Sequence, residues 1–180
     1  MQLTRAADYA VRVVMHLATL PEAEHVSRAE LAGATGVPDS FLSKILQALS
    51  RAGLVGSRRG LDGGFALLPQ GRQASLLDVV EAIEGPICLN LCLMSGTSCD
   101  NEGWCAAHLT WAKAQEAMSS VLRSAMITDL AAQSVERRRR LSSASGGKPV
   151  PAQAAANDHK NPKLDNHRKS KLKPGEANNA

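Results

Sequence analysis

Between Ser27 and Leu68, helix-forming runs and hard stops alternate so closely that few folds can accommodate them. Ser27-Arg28-Ala29-Glu30 is a capping box, in which the serine hydroxyl and the glutamate carboxylate each satisfy a backbone N–H that the first helical turn leaves open. A short helix carries Leu31 and Ala32 inward until Gly36. Val37-Pro38-Asp39 restarts the chain as another helix that runs to Gly53, where glycine suits the C-terminal cap. A two-residue period then takes over in Leu54-Val55-Gly56-Ser57-Arg58-Arg59, followed by Gly60-Leu61-Asp62-Gly63-Gly64 and Phe65-Ala66-Leu67-Leu68. Two short strands around a glycine-rich turn make a β-hairpin. Ahead of these elements, Thr4 caps a helix with Ala6, Ala10, Val13, Val14 and Leu17 at helical spacing, broken at Pro21-Glu22-Ala23-Glu24. Three helices and a hairpin in this order are the winged helix-turn-helix pattern.

Past the hairpin, residues 75–84 read as a helix carrying Leu76, Leu77, Val79, Val80 and Ile83, closed by Gly85-Pro86. A loop then holds all 4 cysteines. A long helix is expected from near Trp104 through Trp111, Met118, Val121, Leu122 and Ala125, and Arg137-Arg138-Arg139-Arg140 closes the ordered part. Only 3% of the chain is aromatic against 44% hydrophobic, so Ala, Leu and Val do the packing, which favours helices. From residue 142 onward no aromatic residue occurs, and a tail of Ser, Gly, Pro, Asn, Lys and Ala is expected to stay disordered. The expected fold is therefore mainly α: a winged helix-turn-helix over 1–74, then a linker helix, a cysteine loop and a long helix over 75–141, then a disordered basic tail over 142–180.

The net charge of +4 resides in that tail, which holds seven Lys/Arg against three Asp/Glu, while residues 1–141 balance. Overall basicity is thus weak evidence for nucleic-acid binding, and local geometry must carry it. No run approaches the roughly 18 apolar residues of a membrane span, and Met1-Gln2-Leu3-Thr4-Arg5 lacks a signal-peptide layout. A cytoplasmic protein with no membrane partner is expected.

The local geometry is present. On the helix after Pro38, Leu42, Ile45, Leu46 and Leu49 form the core side, while Ser40, Ser43, Lys44 and Gln47 fall at i, i+3, i+4 and i+7 on the opposite side. Such side chains can bond base edges and phosphates without repelling DNA. Arg58 and Arg59 precede the glycine turn, where a wing arginine can enter a minor groove. Ser27 and Arg28, at the start of the preceding helix, complete the expected DNA-facing set.

Cys88, Cys92, Cys99 and Cys105 are spaced by three, six and five residues. Disulfides do not suit a cytosolic chain. Structural zinc prefers paired short knuckles, which only Cys88 and Cys92 approach. Thiolates spread along a polar loop can wrap a bulkier iron–sulfur cluster. The residues alone rank the cluster first, zinc second and inert buried thiols third. No nucleotide loop, nucleophile elbow or paired His/carboxylate set points to catalysis, so no enzyme is expected, and an iron–sulfur electron carrier ranks low.

Several segments resemble one family: Met1-Gln2-Leu3-Thr4 with Asp8-Tyr9-Ala10-Val11, Ser40-Phe41-Leu42, the wing from Gly53 to Gly64, and Cys92-x6-Cys99-x5-Cys105-x2-His108. From residue 1 to about 135 the chain is similar to the Rrf2 regulators, whose members include IscR-like and NsrR-like types. The resemblance implies a homodimer joined through the helix after the cysteine loop, binding a roughly palindromic operator in double-stranded DNA. It also implies an iron–sulfur cluster, [2Fe-2S] or [4Fe-4S], whose state controls binding in response to nitric oxide, redox or iron–sulfur status, most simply as a repressor. The IscR-like ligand pattern maps onto Cys92, Cys99, Cys105 and His108. The NsrR-like pattern replaces the histidine by a carboxylate near the N-terminus, here Asp8, offered to the partner subunit's cluster. Both candidates exist in this chain, as does the extra Cys88. Each also has a plainer reading: Asp8 as a surface pair of Arg12 at i+4, His108 as a capping or solvated residue, and Cys88 as a small apolar filler beside Ile87 and Leu89.

Overall fold

The structure, a computed structural model, describes residues 3–60, 63–94, 99, 101 and 103–144. Helix α1 (Arg5–Ala18) begins where the Thr4 hydroxyl accepts from the Ala7 N–H at 3.4 Å. Helix α2 (Arg28–Thr35) opens with the expected capping box: Ser27 Oγ accepts from the Glu30 N–H at 3.3 Å, and Glu30 Oε2 accepts from the Ser27 N–H at 2.9 Å. Those bonds, led by the one with the Ser27 side chain, hold the Glu30 carboxyl below its ordinary range. Gly36 closes α2 in the left-handed conformation, φ 67°. Helix α3 (Asp39–Arg51) follows Pro38 without a side-chain cap.

Strands β1 (Val55–Arg58) and β2 (Gly64–Leu67) pair antiparallel, with Val55 opposite Leu67 and Arg58 opposite Gly64. Val26 adds a single bridge on the outer side of β2. Its N–H donates to the Phe65 carbonyl at 3.0 Å and its carbonyl accepts from the Phe65 N–H at 2.9 Å. This close approach needs glycine next door, since a Cβ on Gly64 would lie 2.5 Å from the Val26 oxygen. The wing is thereby stitched to the residue just ahead of the α2 cap. A short helix α4 (Pro69–Arg72) and α5 (Leu76–Glu84) follow, α5 with a second capping box between Ser75 and Asp78.

The long helix expected after the cysteine loop is two helices. Helix α6 (Ala106–Ser124) stops because Ala125 is extended, φ −86° and ψ 94°. The Ala125 carbonyl accepts from the Leu76 N–H at 2.8 Å, and the Ile127 N–H donates to the Ala74 carbonyl at 3.0 Å. This antiparallel bridge, Ser75 opposite Met126, replaces helical bonds without glycine or proline. Helix α7 (Ile127–Ala144) then folds back onto α1. It continues to Ala144, past the expected limit at Leu141, and the rest of the expected tail, residues 145–180, lies outside the described residues. Among the described residues no helix is long and apolar enough to cross a membrane.

One core joins these elements. Leu17, Leu31, Leu42, Leu46 and Leu49 are fully buried together, and Val79 from α5 and Ile127 from α7 share the same cluster. Ile127 is 0% exposed, so replacing it by alanine leaves a cavity inside the helix-turn-helix core. Ile127→Ala is expected to cost about 2–5 kcal/mol in urea unfolding, read as a lower midpoint of one cooperative transition. A loss under about 0.5 kcal/mol, ordinary for a surface substitution, would detach α7 from that core.

Candidate DNA interface and cysteine loop

The structure turns one face of α3 to solvent: Ser40, Ser43, Lys44 and Gln47 are exposed, while Leu42, Ile45, Leu46 and Leu49 are buried. The polar stripe read from the sequence is a real surface stripe. Arg28 is exposed too, but it already has partners. Its Nε pairs with Asp39 Oδ1 at 2.9 Å and its Nη1 donates to Ser43 Oγ at 3.0 Å. With both side chains of the ion pair more than half exposed (52% and 62%), the pair contributes at most about 1 kcal/mol. Its role is geometric: it fixes the start of α3 against α2. Ser27 is half-buried with its hydroxyl in the cap, so of the expected DNA-facing set it is the least available to a ligand.

Sequence reasoning missed a second clamp on α3. The Phe41 ring, 41% exposed, meets Tyr9 of α1 edge-to-face at 5.4 Å and 76°. The Arg12 guanidinium sits 5.7 Å from the Tyr9 ring centroid. One signal for it was an aromatic pair in a chain with only 3% aromatic residues. On the wing, Arg58 and Arg59 are both exposed. A Cβ on Gly63 would collide with the Arg58 carbonyl, so the turn keeps its backbone close under the two arginines.

The cysteine loop is anchored at both ends. The Ile87 N–H donates to Glu81 Oε1 at 3.2 Å and the Leu89 N–H to Gln115 Oε1 at 3.0 Å. A 3-10 turn, Leu91–Leu93, packs against α6 and carries Cys92. At the far end, the N–H groups of Trp104 and Cys105 converge on the Asn101 carbonyl at 3.2 and 2.8 Å. All four thiols are free and half-buried. They are not equivalent, because Cys88 Sγ donates to the Asn90 carbonyl at 2.9 Å, whereas Cys105 sits at the α6 N-cap without using its side chain.

The fourth-ligand candidates lie on different elements. Asp8 is in the first turn of α1 with its carboxylate 2.7 Å from Arg12 Nη2, the i,i+4 pair that the sequence allows. His108 is in the first turn of α6, half-buried, with its backbone N–H on the Cys105 carbonyl at 3.1 Å. Among the described residues no three His, Cys, Asp or Glu side chains converge as a metal-binding group. The donor chemistry nevertheless suits iron–sulfur ligation: soft thiols, partly accessible, on a loop held at both ends.

Residues 3–133 match the family described as "Rrf2: Iron-dependent Transcriptional regulator". The chain belongs to the Rrf2 family. It is 39% identical over 132 residues to protein aau3 of Rhizobium meliloti (strain 1021), covering 72% of this chain and 84% of that protein. The HTH-type transcriptional repressor NsrR of Streptomyces coelicolor is 33% identical over 133 residues, covering 73% of this chain and 89% of the relative. Among solved structures, IscR of T. potens superposes with a TM-score of 0.61 at 22% identity, over 77% of this chain and 91% of that one. CymR, the global cysteine regulator of B. subtilis, gives 0.60 at 24% identity, over 74% and 98%. These structures share the winged-helix fold with this Rrf2 regulator.

Two substitutions test the DNA-reading assignment. Lys44→Ala is expected to weaken operator binding by about 1–3 kcal/mol and relax preference at one base position, measured by fluorescence anisotropy on operator variants. Unchanged affinity and preference would remove α3 from the major groove. Arg59→Ala should lower the slope of log K against log salt by about one, uniformly across sequences. An unaltered slope would place the wing away from DNA.

Proposed function

We propose that this Rrf2 regulator is an operator-binding repressor governed by an iron–sulfur cluster, [2Fe-2S] or [4Fe-4S], on Cys92, Cys99 and Cys105. The observation that carries the proposal is the anchored loop with its accessible thiols, and the family description as iron-dependent supports it. The relative named a repressor supports the direction of control. The fourth position belongs to Asp8 of the partner subunit or to His108, with Cys88 outside the set because its thiol is directed to its own loop. When bound, the cluster supplies an iron centre that reacts with nitric oxide or oxidants.

Helix α6 supports a homodimer. It buries no residue fully within its own chain, and Trp111 and Val121 are exposed on one side of it. Ala107, Ala114 and Ala117 lie near Trp111 and Val121, and such small side chains let a second helix approach closely. A contiguous apolar face of this kind marks an interaction surface. We assign it to a second copy of α6, which would present two recognition helices to a palindromic operator in double-stranded DNA.

A contiguous route links loop and DNA face. Glu84, the last residue of α5 before Gly85-Pro86, accepts from the Thr4 N–H at 3.1 Å and from the Thr4 hydroxyl at 2.5 Å. Helix α1 carries that tie to Tyr9 and so to Phe41 on α3. Ordering the loop would bias the tilt of α3 through this chain of contacts.

A second reading, a thiol- or zinc-based regulator, is favoured by the free state of all four cysteines and the absence of a converged ligand group among the described residues. Anaerobic purification separates the two. The cluster reading expects a coloured protein with stoichiometric iron and sulfide, lost in Cys92→Ala, Cys99→Ala and Cys105→Ala and retained in Cys88→Ala. It also expects one of Asp8→Ala and His108→Ala to alter the spectrum or the rate of reaction with nitric oxide. A colourless wild type holding zinc or no metal establishes the second reading.

A further inference from the structure

A cleft of about 350 Å³ opens between α1, the end of α2 and α7, and of its lining only Arg12 also takes part in the clamp on α3. Its volume lies in the range of small-ligand sites. Met15, Ala131 and Val135 supply an apolar floor, while Arg12 and His16 from α1 and Arg138 from α7 bring three nitrogen-rich side chains to the same space. Among the described residues no carboxylate lines it.

The polar groups sort by what they already bond. The Thr19 hydroxyl donates to the His16 carbonyl at 2.7 Å and the Thr35 hydroxyl to the Leu31 carbonyl at 2.6 Å, so neither has a proton to offer. Arg12 keeps donors beyond the one on Asp8, because a guanidinium carries five N–H groups. Arg138 forms no ion pair with a described carboxylate, and the Ser134 hydroxyl bonds to no described residue. The remaining capacity is therefore a set of donors above an apolar floor. The electrostatics agree: burial first, and then the Arg138 charge, lower the proton affinity of His16. Arg138 thus brings a positive charge that no described carboxylate pairs, while Arg12 shares its own with Asp8.

We propose that this cleft binds a small organic carboxylate, its head group held by Arg138, Arg12 and Ser134 and its short aliphatic body on Met15, Ala131 and Val135. Planar guanidinium groups match a carboxylate in two-point geometry, and the floor would select for a carbon chain over an inorganic oxyanion. Occupancy would draw α7 toward α1 and α2, so the ligand would act on the later part of α1, whereas the cysteine loop's tie at Glu84 meets its start. The proposal requires no cluster, and shares with that reading only the Arg12–Asp8 pair.

The test uses the full-length protein and butyrate as probe, read through the His16 ring resonances by NMR and through the unfolding midpoint. Butyrate is expected to give saturable His16 shifts and a raised midpoint, with inorganic phosphate at equal ionic strength binding at least about tenfold more weakly. Arg138→Gln should weaken butyrate by about tenfold or more, while Arg140→Gln, whose guanidinium pairs with Glu136 at 2.7 Å, should leave binding unchanged. Linear, unsaturating shifts would overturn the proposal. So would equal binding of phosphate, or equal loss in the two arginine variants.

Discussion

Up to Leu17, the inner face of α1 is built from small side chains, and the rest of the molecule is arranged around that fact. Ala7, Ala10, Val13 and Val14 are buried to 1% or less, and none reaches far from the helix axis. Helices can therefore approach α1 from more than one side, and α2, α3, α5 and α7 all pack on it. Larger residues there would hold neighbours apart, and inserting methylene groups into such a core typically costs about 1–3 kcal/mol. Because α1 packs on α2 and α3 and also on α5, which leads into the cysteine loop, neither side is insulated from the other.

A satellite core reinforces this. Ala7 on α1, Leu77 and Val80 on α5 and Ile87 at the mouth of the cysteine loop form a second buried cluster, with Met118 and Leu122 of α6 against it. The loop thus starts from packed ground. On the other side, Phe41 and Tyr9 meet edge-to-face and Arg28 grips Asp39 and Ser43, so α3 is fixed from both α1 and α2. Two weak clamps at different points of one helix control its direction better than either would alone, although each contributes little to stability.

Much of this was legible in the sequence because its causes are local. The Ser27–Glu30 capping box, the Gly36 stop, the Pro38 restart and the glycine turn each act within four or five residues, and each element lies where these signals put it. The stripe on α3 was legible from its period. The break after Ser124 was not, because its cause is a bridge to Ser75, far away in the chain, and no residue type there announces it. Arg28 illustrates an intermediate case: its exposure was foreseeable, but its hold on α3 depends on how α2 and α3 cross. The choice between Asp8 and His108 is likewise not a local property, since the two residues lie on α1 and α6 and spacing along one chain does not rank them.

The return of α7 to α1 also has a consequence for biosynthesis. The core around Leu17, Leu31 and Leu49 is closed by Ile127, so the first helices leave the ribosome with an apolar surface that their own neighbours cannot cover. At elongation rates of about 5–20 residues per second the missing residue arrives on the order of ten seconds later. During that interval the nascent winged helix is incomplete and exposed to aggregation or to capture by holding chaperones. Closure across so long a stretch of chain also raises contact order, which slows folding of an otherwise helical, locally signposted protein. The packing around the helix made first is complete only once the last described helix has been made.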